Sequence, residues 1–203
     1  YDVTYAYTGT VPADASALPE KAAVKYGASV TVAEAATAKG HTFSGWSTGD
    51  FTMPAQDVEI TGSFTANGDT AYTVEHYQQN VADDDYTLAD TESKTGATGQ
   101  LTAAGSKSYP GFTAPQSITQ QIVKGDGSTV VKVYYTRNEY TLTYDLNGSD
   151  ASWTDSAENK SNIYRYGAAV TILTSNDLSR AGYAFGGWYT DVDCTTRWNE
   201  STM

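Results

Sequence analysis

An opening phrase that occurs three times constrains this chain more than any other feature. Residues 1–9 read Tyr-Asp-Val-Thr-Tyr-Ala-Tyr-Thr-Gly, residues 72–80 read Tyr-Thr-Val-Glu-His-Tyr-Gln-Gln-Asn, and residues 140–148 read Tyr-Thr-Leu-Thr-Tyr-Asp-Leu-Asn-Gly. The starts lie 71 and 68 residues apart. In the first phrase Tyr1, Val3, Tyr5 and Tyr7 fall on one side of an extended chain, and Asp2, Thr4, Ala6 and Thr8 on the other. In the third, Tyr140, Leu142, Tyr144 and Leu146 alternate with Thr141, Thr143 and Asp145. Period two carried by aromatic and branched residues specifies a half-buried strand. A strand that recurs at a fixed interval specifies a row of small units instead of one large domain.

A second set of anchors keeps the same order. Tyr26-Gly27-Ala28-Ser29-Val30-Thr31 parallels Tyr166-Gly167-Ala168-Ala169-Val170-Thr171, and Gly40-His41-Thr42-Phe43-Ser44-Gly45-Trp46 parallels Gly182-Tyr183-Ala184-Phe185-Gly186-Gly187-Trp188. The middle copy offers Tyr109-Pro110-Gly111-Phe112 as a degenerate counterpart. Glycine beside a large aromatic allows a close backbone approach, and the ring then covers the core of a unit too small for a large one. Phe43, Gly45, Trp46, Gly111, Phe112, Phe185, Gly187 and Trp188 are therefore expected to be structural anchors.

Closing strands are expected at Val58–Phe64, running into Thr65-Ala66-Asn67, and at Val131–Tyr135, running into Thr136-Arg137-Asn138. Boundaries near 69 and 138 give segments 1–69, 70–138 and 139–203. Asn138-Glu139 leads straight into Tyr140, so neighbouring segments are expected to be held end to end. Thr202-Met203 corresponds to Thr52-Met53, after which the first copy still has its closing strand. The third copy is thus expected to stop one strand short, leaving an open sheet edge. Ala33–Lys39 before Gly40, and Ser175–Arg180 with an N-cap at Ser175 or Asn176, read as short helices crossing a sheet. With Thr, Tyr, Val and Gly abundant, the fold class is α+β, mostly β.

Composition removes several functions. Acidic residues number 24 and basic residues 12, for a net charge of -12. Such a chain has no cationic surplus for phosphates or anionic lipid, so neither a nucleic-acid partner nor a membrane contact is expected. Cys194 is the one cysteine, which precludes an intramolecular disulfide and a Cys-rich metal site. No apolar run approaches the ~18 residues of a membrane span, and Tyr1 opens into a strand pattern, not a signal peptide.

Chemical motifs yield to structural readings. Gly45-Trp46-Ser47-Thr48-Gly49 fits G-x-S-x-G, but a nucleophile elbow needs a following helix and a downstream Asp and His. The third copy replaces Ser47 with Tyr189. His41 takes the slot of Tyr183, and His76 that of Tyr5 and Tyr144, so both are expected to pack. Asp83-Asp84-Asp85 reads as a solvated turn that lacks the spacing of a calcium loop. Asp145–Asp150 reads as a turn around Asn147-Gly148. Trp153, in the insertion Ser149–Asn159, is the candidate for an exposed aromatic contact. Lysines are sparse and none lies in an opening strand, so Lys–Asn crosslinks are not expected. No catalytic residue, metal ligand or cofactor site is predicted, and the chain reads as no enzyme.

The third segment resembles the Listeria–Bacteroides repeat, also called the internalin-type B repeat, through residues 140–148, Tyr166-Gly167 and Gly182–Tyr189. The first is similar to a SHIRT stalk domain through Val3-Thr4-Tyr5, Phe43-Ser44-Gly45-Trp46-Ser47 and Phe51-Thr52-Met53-Pro54. The middle is similar to MucBP-like repeats through Tyr72–Tyr77, Gly96-Ala97-Thr98-Gly99 and Tyr109–Phe112. The resemblance implies three small β-grasp-like modules in tandem, elongated and monomeric, in a secreted or wall-attached bacterial surface protein. It implies a stalk that presents a distal adhesive or catalytic domain, with host glycan or protein met by other parts. Two other readings stand beside it: a mucin-, glycan- or host-protein-binding middle module, and an accessory region of a large extracellular enzyme.

Overall fold

The computed structural model describes residues 1–148, 150–154, 162–198 and 202. Fourteen strands occur among them. They are β1 (Asp2–Thr8), β2 (Ala22–Ala23), β3 (Ser29–Val30), β4 (His41–Phe43), β5 (Phe51–Thr52), β6 (Val58–Ala66) and β7 (Thr70–Gln79). There follow β8 (Tyr86–Gly96), β9 (Phe112–Thr113), β10 (Val130–Arg137), β11 (Glu139–Leu142), β12 (Ser152–Trp153), β13 (Asn162–Arg165) and β14 (Leu178–Ser179). Two four-stranded sheets have the orders β2-β1-β6-β4 and β8-β7-β10-β9. Compactness divides the chain into one unit of Tyr1–Glu75, Asp90–Gly105 and Ser117–Lys132, and a second of His76–Ala89, Ser106–Gln116 and Val133–Met203. The division passes through β7, β8 and β10 of the second sheet.

The first unit contains the whole of the first sheet. Its two central strands, β1 and β6, run parallel in the register Val3↔Val58, Tyr5↔Ile60 and Tyr7↔Gly62. Antiparallel strands flank them, β2 on β1 and β4 on β6. A parallel pair requires the chain to cross over between its strands, and residues 24–57 make that crossing. Val3, Val30, Met53 and Ile60 form the buried core, with Tyr5, Val32, Trp46 and Phe51 packed around it. Removal of this apolar area from water is the main force holding so small a sheet. Gly62 lies under the Phe43 ring, where a methyl group would overlap ring carbons. This unit also buries Tyr72, Val74, Val123 and Val131 from the second sheet.

In the second unit His76, Val133, Tyr135, Leu142 and Tyr144 are buried. His76 Nδ1 lies 2.8 Å from the Tyr135 hydroxyl, which accepts the Lys107 N–H at 2.7 Å. Strand β11 pairs with β13 from Glu139↔Arg165 to Leu142↔Asn162.

The fold is mostly β, and the expected α component is corrected: no α-helix occurs among the described residues. A seven-residue helix is marginal by itself, and outside partners claim the backbone groups that would build one. Around Ala33–Lys39, Ala33 N–H donates to the Tyr5 hydroxyl, Thr37 N–H to Ser16 Oγ and Lys39 N–H to Asp14 Oδ2. The Glu34 carbonyl accepts the Trp46 indole N–H at 3.0 Å. The expected cap at Ser175 or Asn176 is a turn instead, closed by Asp177 N–H on the Thr174 carbonyl, and Leu178–Ser179 continue as β14.

Candidate functional site at the repeat junctions

The closing strands β6 and β10 each run out into an asparagine, Asn67 and Asn138. Asn67 N–H donates to the Gly40 carbonyl at 2.8 Å, and its own carbonyl accepts Thr98 N–H at 2.9 Å. The Thr42 hydroxyl donates to Asn67 Oδ1 at 2.7 Å. The second junction repeats these bonds. Asn138 N–H donates to the Gly111 carbonyl at 2.9 Å, its carbonyl accepts Tyr166 N–H at 2.8 Å, and the Thr113 hydroxyl donates to Asn138 Oδ1 at 2.7 Å. In both cases Gly, Thr and Asn are separated by two and then 25 residues. Asparagine suits the position because its backbone and its amide bond in three directions at once.

Glycine is required where the junctions close. Gly40 and Gly111 have φ of 65° and 76°, a region costly for residues with a Cβ. A methyl group on Gly40 would overlap Gly125 and the Thr98 hydroxyl, and one on Gly111 would overlap the Tyr166 ring. Thr98 is buried, and its hydroxyl lies 2.7 Å from that of Thr70. Tyr26, the first-copy counterpart of Tyr166, is 71% exposed.

Charged groups add to the second junction. Arg137 donates from Nε to the Gln79 carbonyl at 2.9 Å and from its terminal nitrogen to the Tyr166 carbonyl at 2.8 Å. Its guanidinium lies 4.5 Å above the Phe112 ring. Arg165 grips the acidic turn, bonding the Asp83 carbonyl and the Asp84 carboxylate. Asp83 in turn accepts from Asn80 Nδ2 and from Asp85 N–H. The run Asp83-Asp84-Asp85 therefore serves as a clasp for an arginine. Beside the first junction, the Ser128 hydroxyl and amide hold the Asp126 carboxyl below the ordinary carboxylate range.

The anchors fall into two groups. Trp46 meets Tyr5 edge-on at 4.9 Å and Phe43 at 4.9 Å, and stacks on Tyr7 at 5.8 Å. Trp188 lies 4.6 Å from Tyr144 and 5.1 Å from Phe185, and its indole N–H bonds the Leu173 carbonyl at 2.7 Å. Tyr144 and Tyr5 likewise accept N–H groups from Leu173 and Ala33. Gly45 and Gly187 turn the chain into these clusters with φ of 85° and 122°. Gly111 and Phe112 belong to the junction instead. Phe112 pairs with Arg137 as His41 pairs with Ala66, so it occupies the place of His41 and not that of Phe43.

Trp153 is not the exposed aromatic expected of it. It is half-buried and stacks on Trp188 at 6.0 Å. Most of its insertion, Ser149 and residues 155–159, lies outside the described residues, as does Met203. His41 binds the Lys39 carbonyl, and Tyr183 is 68% exposed under the Arg180 guanidinium, so that slot is superficial. Ser47 Oγ accepts Thr61 N–H at 3.0 Å, and no helix follows it, so the nucleophile elbow is absent. Cys194 is exposed. No group of three His, Cys, Asp or Glu among the described residues is placed to hold a metal ion.

The sequence profile of the Listeria-Bacteroides repeat domain matches residues 1–70 and 140–203. It thus takes in the first segment, likened above to a SHIRT domain, as well as the third. No curated protein matches the chain. Among solved structures, the chain is similar to streptococcal high identity repeats in tandem, SHIRT domains 3-4 from a cell surface protein. That similarity has 15% identity, covers 68% of this chain and 98% of that one, and has a TM-score of 0.27.

Proposed function

The chain belongs to the Listeria-Bacteroides repeat family, and on that footing we propose that it is a run of structural spacer modules in a bacterial surface protein. The modules are residues 1–69, 70–138 and 139–203. The mixed sheet around the parallel pair β1 and β6 is read as a β-grasp whose crossing helix is replaced by irregular chain. The chain works without turnover or cofactor and holds a distal adhesive or catalytic domain away from the cell surface.

The asparagine junction carries this reading. A linker meant to let domains move is long, polar and free of mutual hydrogen bonds. Here the linking residues Asn67 and Asn138 each make three bonds, one of them to the next segment. A joint of that kind resists bending, which a spacer needs and a flexible tether does not. A net charge of -12 keeps a long exposed surface soluble.

Small-angle scattering tests the proposal. A compact chain of this length has a radius of gyration of about 17 Å. Three modules in line, each about 30–35 Å long, approach about 30 Å. A value near the compact figure would overturn the spacer reading.

A further inference from the structure

The third repeat carries an open groove where the first carries a strand. In the first repeat β6 runs parallel to β1 from Val3↔Val58 to Thr8↔Ser63. It buries Ile60 completely beside Val3 and Met53, and it sets Phe64 5.2 Å from Tyr7 and 5.1 Å from Phe43. In the third repeat β13 holds the place of β2, pairing Leu142 with Asn162 as β2 pairs Val3 with Ala22. No described residue takes the place of β6. Strand β11 accordingly ends at Leu142, while β1 continues to Thr8 along its parallel partner. Thr143–Leu146 have the alternating pattern of a strand and no strand beside them.

An apolar cavity of about 1230 Å³ fills the vacated position. Leu142, Tyr144, Leu146, Phe185 and Trp188 line it. They correspond to Val3, Tyr5, Tyr7, Phe43 and Trp46, the residues that surround β6 in the first repeat. The lining is already set, since Trp188 is pinned to Leu173 and Tyr144 accepts the Leu173 N–H.

We propose that the third repeat is a strand acceptor. Its groove takes an extended segment of another polypeptide, with apolar side chains at alternate positions, added in parallel to the free edge of β11. The first repeat states the chemistry of that segment: Val58-Glu59-Ile60-Thr61-Gly62-Ser63-Phe64, in which Val58 and Ile60 face the core and a glycine makes room for an aromatic ring. Backbone bonds supply part of the affinity and the alternate side chains supply selectivity, as in other strand additions. The inference rests on the correspondence between repeats and is independent of the spacer reading.

A labelled peptide of residues 58–66, added to the intact 203-residue chain, tests this by fluorescence anisotropy and hydrogen exchange. Saturable binding is expected, with new protection at the amides of residues 143–147. Ile60→Asp in the peptide should weaken binding at least about tenfold, as should Leu146→Asp in the chain. Near-UV circular dichroism from the Trp188 cluster checks that the third repeat is folded. Absence of binding to the folded chain overturns the proposal. So does binding indifferent to Ile60→Asp, or protection that appears on β8 alone. Sedimentation showing a dimer that excludes the peptide assigns the groove to a second copy and overturns it equally.

Discussion

Replacement of Gly111 by alanine examines the second junction at its tightest point. Two separate penalties apply. The backbone at Gly111 has φ of 76°, and a residue with a Cβ loses about 1–2 kcal/mol there. The new methyl group also overlaps the Tyr166 ring, and displacing a packed side chain costs about 1–3 kcal/mol. Together Gly111→Ala should destabilise the junction by about 2–5 kcal/mol. Native-state hydrogen exchange at the Asn138 and Tyr166 amides reads that loss locally, because those protons bridge the junction. A double-mutant cycle then separates the penalties. In a Tyr166→Ala background the ring is gone but the Tyr166 N–H bond to Asn138 persists, so Gly111→Ala should cost only about 1–2 kcal/mol. Equal costs in the two backgrounds would refute the claim that the ring closes over this glycine.

Two further outcomes follow from the aromatic clusters and the third repeat. Trp188→Phe keeps a ring against Tyr144 but leaves the Leu173 carbonyl without its indole donor, for a loss of about 1–3 kcal/mol in chemical unfolding, whereas Tyr183→Ala, at an exposed ring, should cost under about 0.5 kcal/mol. The amides of Thr195 and Thr196 hold the Asp191 carboxyl below the ordinary range. A depressed carboxyl stabilises the fold above the ordinary value of about 4 and loses that contribution as pH falls through its own lower value. The Thr195 and Thr196 amide shifts should therefore titrate together below about pH 4 in NMR, and Asp191→Asn should abolish the transition.

The strands were legible because each obeys a local rule. Period-two aromatics marked β1 and β7, and Val58–Phe64 lies within β6. The expected helices failed for a reason no local window holds. Ala33–Lys39 has fair helix propensity, but Tyr5, Ser16 and Asp14, all at least 21 residues away, take its N–H groups individually. Tertiary partners override weak propensity in so short a segment. Trp46 and Trp188 were identified as anchors by matching motifs, and their structural equivalence reaches the indole N–H bond. Phe112 was matched to the wrong neighbour because Gly-Phe looked like Gly-x-x-Phe with two residues lost. The pairing with Arg137 corrects the register by three-dimensional position. The asparagine junction had a signal that went unused: Gly, Thr and Asn at the same two intervals in two copies. It is hard to weigh in a sequence, since polar residues after a strand are common in any turn.

Most of each junction is furnished by the upstream partner. The glycine carbonyl, the threonine hydroxyl and the asparagine all belong to it, and at the asparagine the downstream neighbour contributes a single main-chain N–H, from Thr98 in one case and Tyr166 in the other. A main-chain donor is indifferent to side-chain identity. Copies can consequently diverge, be duplicated or change order without re-inventing the coupling, so long as Gly-x-Thr and the terminal Asn travel together. The joint behaves as a one-sided connector, and it is the connector, more than any individual domain, that makes concatenation heritable.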